Sequence, residues 1–131
     1  MKRKAILIDH NNHRTTLIMI DILNASEILP YIMQDDVAKE FREIRELLKE
    51  NLRNKEKYKK ADVSDKAKNI FEMRFIRNKH NDRIYCQEIN KGAKRFIVMI
   101  ELYEGKKSQD IPKKIKTRIE TMGGSEYELE Y

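Results

Sequence analysis

Between residues 70 and 103, apolar side chains recur at every second position in three short runs. In 70–77 (IFEMRFIR), Phe71, Met73 and Phe75 alternate with Glu72, Arg74 and Ile76; in 94–103 (KRFIVMIELY), Phe96, Val98, Ile100 and Leu102 share one parity. The run 83–89 (RIYCQEI) lies between them. A period of two predicts strands with one face buried. The segments 78–82 (NKHND) and 90–92 (NKG) supply turn residues, so an antiparallel meander is the natural pairing. Upstream, 4–9 (KAILID) and 15–22 (TTLIMIDI) flank the break HNNHR, which predicts a hairpin or one long bent strand.

Helical spacing appears twice. Val37, Phe41, Ile44, Leu48 and Leu52 follow Asp35 and Asp36 at intervals of three and four, which predicts one long amphipathic helix over 35–60. The stretch 24–33 before it (NASEILPYIM) reads as a short helical or irregular bridge broken at Pro30. Near the end, Pro112 opens a second helix whose buried stripe is Ile115, Ile119 and Met122, and Gly123-Gly124 closes it. The final SEYELEY alternates Tyr127, Leu129 and Tyr131 with glutamates, as an edge strand would. The expected architecture is α+β: a small antiparallel sheet with a long N-terminal amphipathic helix and a basic C-terminal helix, in one domain over 1–131.

Charge narrows the function classes. The 131 residues carry a net charge of +6, and 38% of them are charged. The sequence pI is near 9.3. Residues 106–118 hold six Lys or Arg against Asp110 alone, and 51–68 hold seven against three acids, whereas 119–131 hold four glutamates and no cation. Such basic runs suit a polyanion partner. The single Cys86 excludes an internal disulfide and makes a cysteine-based zinc site improbable. No apolar run approaches a membrane span, and the start MKRKAILID is too short in its apolar part for a signal peptide, so no membrane partner and a cytoplasmic location are expected. His10, His13 and His80 sit in polar turns without a ligand pattern, and neither a glycine-rich phosphate loop nor a nucleophile signature is present. No metal and no cofactor are expected.

What remains is a set of cations and tyrosines on or just beyond the strands: Arg74, Arg77, Arg83, Tyr85, Tyr103, Lys106 and Lys107. Attack of an RNA 2′-hydroxyl on its own phosphodiester needs cations around the phosphorane-like transition state and groups to move two protons. Arginine suits the first task because its fork binds two phosphate oxygens. Lysine or tyrosine suits the second where neighbouring positive charge lowers its pKa. The plainer reading, solvated strand residues and helix-end lysines, is the one that composition alone favours.

The runs IFEMRF, DRIYCQEI and KRFIVMIELYEGKKSQDIPKKIKTRIE resemble the RelE/HigB superfamily of toxin–antitoxin ribonucleases, in particular its HigB-like, phage-derived branch. The resemblance spans about the last half of the chain. It implies a RelE-like fold and an mRNA interferase that cuts transcripts, commonly on the ribosome, and is silenced by a cognate antitoxin protein. Matched by position, Arg74 corresponds to the strand arginine of the family's Glu-Leu-Arg, Arg83 to the basic start of the next strand, and Lys106/Lys107 to the basic pair after the last strand. On this basis Arg74, Lys107 and Tyr103 are the candidate catalytic residues, and Arg77, Arg83, Lys106, Lys113 and Lys114 the candidate RNA-binding residues. No tyrosine follows the basic pair here, and no histidine matches the members that use one. Two other functions compete: a non-catalytic nucleic-acid-binding protein with a toxin-like fold, and an interaction module whose SEYELEY strand extends a partner's sheet.

Overall fold

The structure is a computed structural model and describes residues 2–77, 81–105, 111–123 and 126–131. Strands β1 (Lys2–His10) and β2 (Thr16–Asp21) come first, then helices α1 (Ala25–Ile32) and α2 (Asp35–Lys49). Strands β3 (Tyr58–Lys60), β4 (Ile70–Phe75), β5 (Asp82–Lys91) and β6 (Lys94–Tyr103) follow, then helix α3 (Lys113–Gly123) and strand β7 (Glu126–Glu130). The strands form one sheet in the order β3-β4-β5-β6-β2-β1-β7.

The β4-β5-β6 meander and the β1-β2 hairpin form as the alternation predicts. The sheet as a whole does not. Among the described residues, the small antiparallel, RelE-like sheet beside a long N-terminal helix is replaced by a seven-stranded mixed sheet with three short helices. The reason lies in β2, where every position is buried. A strand apolar on both faces belongs in the middle of a sheet. It pairs antiparallel with β1 on one side and parallel with β6 on the other, and β7 adds to β1, again in parallel.

The helix expected over 35–60 stops at Lys49. Asn51 takes a left-handed φ of 57°, and the chain turns into β3, which pairs with β4. Val37, Phe41, Ile44 and Leu48 are buried as the stripe requires, but Leu52 lies past the helix end and is 54% exposed. Pro30 does not break α1, which runs two residues further to Ile32.

Each face of the sheet carries its own core. One packs Ile18, Ile20, Met73, Ile84 and Met99 under α1 and α2; the other packs Leu17, Met19, Tyr85, Phe96 and Val98 under α3. A bulge in β6 changes the assignment of faces. Tyr85 opposes Glu101 and Cys86 opposes Met99, so Ile100 is the extra residue. Phe96, Val98 and Ile100 stay on the α3 side, while Leu102 is thrown to the α2 side. Glu101 and Tyr103 then come to share the α3 side with their pairing partners Tyr85 and Arg83. A second bulge, at Ile8, brings Asp9 opposite Ile18 on the α2 side, where Arg45 and Lys49 meet it at 3.2 Å each.

The acidic end completes the sheet. Tyr127 is buried and donates its hydroxyl hydrogen to Asp21 Oδ2 at 2.6 Å. Asp21 also accepts from Arg3 Nε and Nη2, at 2.6 and 3.0 Å. Glu130 pairs with Lys4 at 3.2 Å. Tyr127→Phe should therefore cost about 1.5–3 kcal/mol of unfolding free energy, the worth of a hydrogen bond to a charged group. Urea unfolding measures it, and a loss below a few tenths would show that the Tyr127 hydroxyl bond does not help to hold β7.

Candidate functional site

Antiparallel pairing of β4 with β5 sets Arg74 opposite Arg83 and Glu72 opposite Tyr85. The neighbouring ladders set Lys59 opposite Glu72 and Tyr103 opposite Arg83. Directly opposed residues point to the same side of a sheet, so all six share the α3 side. Three cations surround the Glu72 carboxylate: Arg83 Nε at 3.6 Å, Lys59 Nζ at 3.8 Å and Arg74 Nε at 4.0 Å. One carboxylate against three cations leaves two positive charges over.

The cluster grades from dry to wet. The Arg83 side chain is 5% exposed and donates from Nη1 to the carbonyl of Asp82 at 3.0 Å. Burial weakens its guanidinium's hold on a proton, and Glu72 opposes that effect. Arg74 is 24% exposed and reaches the carbonyl of Lys55 at 3.4 Å. Tyr103 is half-buried. The Tyr85 hydroxyl is buried, and burial, reinforced by Glu72, pushes its pKa well above the ordinary value, so it stays protonated. Arg74 Nε, Arg83 Nε and the Tyr85 hydroxyl have no hydrogen-bond partner among the described residues. Unmet donors with surplus positive charge make a place suited to an anion with several acceptor oxygens.

The structure thus brings together Arg74, Arg83, Tyr103 and Tyr85. Lys113 and Lys114 are exposed on the first turn of α3, the helix that packs on this face. Arg77 goes elsewhere, to Glu43 of α2 at 2.9 Å. Lys106 and Lys107 lie outside the described residues, as does His80. Sequence reasoning passed over Glu72 and Lys59. The signal for Glu72 was its spacing of two from Arg74, which fixes both on one face; Lys59 was hidden because β3 read as helix.

Of the other candidate side chains, His10 and Cys86 are occupied or sealed, and His13 is exposed. The His10 ring bonds the carbonyl of Asn11 at 2.7 Å. Cys86 is fully buried, and burial pushes its thiol pKa up, which suits a core position. Among the described residues no group of three His, Cys, Asp or Glu converges as metal ligands, and no helix is long and apolar enough to cross a membrane. The chain matches no family model, no curated protein and no solved structure at a significant level.

Glu101, on the same face, gives a measurable pH signature. Burial holds its carboxyl above the ordinary range, against the pull of Arg118 at 3.4 Å. Between the ordinary carboxylate pKa and the raised one, the native state keeps a proton that the unfolded chain has released. Stability must then fall as pH rises through that window. Glu101→Gln should remove this part of the slope, and unfolding midpoints over a pH series test it; an identical slope in the variant contradicts the assignment.

Proposed function

We propose that this chain is a toxin-type endoribonuclease that cuts RNA without a metal, by attack of the substrate's own 2′-hydroxyl. The observation that carries the reading is the cross-strand pair Arg74 and Arg83 gathered with Lys59 around Glu72, cationic in sum and rich in unmet donors. Arg74, the more open of the two arginines, clamps a non-bridging pair of phosphate oxygens. Arg83 and Glu72 hold Arg74 and the local charge in place as positioning residues. Lys113 and Lys114 contact the flanking backbone. In the reaction the 2′-oxygen bonds to phosphorus and the bond to the 5′-oxygen breaks, leaving a 2′,3′-cyclic phosphate and a 5′-hydroxyl. Lys107 takes part in proton transfer or charge stabilisation and Tyr103 assists. The resemblance of the runs within residues 70–120 to RelE/HigB toxins supports the same reading, and adds mRNA and a silencing antitoxin as partners.

A second reading has its own observation. Glu72, the carboxylate at the centre of this cluster, is already engaged by Arg83, Lys59 and Arg74, and Glu101, opposite Tyr85, by Arg118. A proton acceptor so engaged favours a binding surface without cutting chemistry.

Purified protein incubated with single-stranded RNA separates the two. The first reading expects new ends carrying a cyclic phosphate, and a loss of about a hundredfold or more in rate for a folded Arg74→Ala variant. Binding that weakens steeply with salt, with a log–log slope of about −3 for four phosphate contacts, is common to both. Salt-sensitive binding without cleavage selects the second. Cleavage at full rate by folded Arg74→Ala removes the first.

A further inference from the structure

On the other side of the sheet, the chain leaving α2 arches over a cavity of 420 Å³. Its wall is a pair of aromatic rings, Tyr58 of β3 and Phe71 of β4, with centroids 5.3 Å apart and planes within 6° of parallel. Both are half-buried. The wall is held from behind. Tyr58 donates its hydroxyl hydrogen to Glu88 Oε2, and Arg95 clamps the same carboxylate with bonds of 2.7 and 3.0 Å. Leu52, the one member of the α2 stripe left exposed, lies at the mouth. Around it stand Arg53, Lys55 and Lys60, whose side chains have no ion pair or hydrogen bond among the described residues. The only carboxylate among the described residues of the lining, Glu88, is already committed to Arg95 and Tyr58.

We propose that this cavity binds a nucleotide, with its base against the Leu52–Tyr58–Phe71 wall and its phosphate on Arg53 and Lys60. A flat apolar surface next to unpaired cations matches the two ends of such a ligand, since every base has a π-face for stacking and the phosphate answers the rim. A wall fixed before the ligand arrives avoids the entropy of ordering it on binding. The rim draws Arg53, Lys55 and Lys60 from the basic run over 51–68, in which Lys57 meets Glu43 and Lys59 meets Glu72. The ligand is a free nucleotide or one nucleotide of an RNA strand; both present the same base and phosphate. This site lies on the opposite face from Arg74 and Arg83, and stands whether or not the chain cuts RNA.

The test titrates isotope-labelled protein with AMP, adenosine, ribose 5-phosphate and an oligoadenylate, following backbone amide resonances. AMP should shift the amides of Leu52, Tyr58, Lys60 and Phe71 in a saturable way. Adenosine and ribose 5-phosphate, each lacking one half of the ligand, should bind about tenfold or more weakly. The double variant Arg53→Glu, Lys60→Glu changes two exposed side chains, so its spectrum should stay native while AMP affinity falls by a similar factor. Oligoadenylate binding tighter than AMP, and weakening with salt, identifies a strand as the source; AMP binding as tightly or tighter identifies a free nucleotide. No saturable shift at these amides with either probe at low salt, or unchanged affinity in the double variant, overturns the proposal.

Discussion

The parallel pairing of β2 with β6 is the joint on which the rest of the molecule depends. It fuses an N-terminal hairpin and a C-terminal meander into one sheet, and it buries a strand that is apolar on both faces. With that joint in place, α1 and α2 cover one side and α3 the other, and two separate cores become possible. Without it, β2 and β6 would each present an open row of amide and carbonyl groups along an apolar strand, the arrangement most prone to pairing with another chain.

Much of this was legible in the sequence. Alternation located β4, β5 and β6, and the spacing of Val37, Phe41, Ile44 and Leu48 located the buried face of α2. What periodicity could not supply was pairing direction between elements far apart in the chain, because local pattern carries no information about which distant strand lies alongside. It also failed at Leu102, where a strict period of two is interrupted by one extra residue. The same bulge is why Glu101 and Tyr103 stand with Arg83. The helix was read too long because 51–60 continues in residues that helices tolerate, whereas Asn51 adopts a left-handed backbone and β4 offers its edge to Tyr58–Lys60.

A net charge of +6 says little about where free positive charge resides. Arg3 is spent on Asp21, Arg95 on Glu88, Arg77 on Glu43, and Arg45 with Lys49 on Asp9. Arginine does most of the internal pairing, as its rigid fork suits fixed carboxylates. Among the described residues, two groups of cations could meet a polyanion from opposite sides of the sheet, one with α3 and one where the chain leaves α2. A phosphate chain engaging both would have to pass around the β3 edge, which is only three residues long.

The parallel ladders have a consequence for synthesis on the ribosome. β1 and β2 emerge first and can close as a hairpin, yet β2 lacks its other neighbour until β6 has been made, and β1 until β7 has. From the making of β2 until that of β6 the nascent chain therefore carries an apolar strand with one unsatisfied edge, exposed to chaperones and to other nascent chains. Closure of the β1 edge waits on Tyr127 reaching Asp21, which ties β7 to a residue made 106 positions earlier.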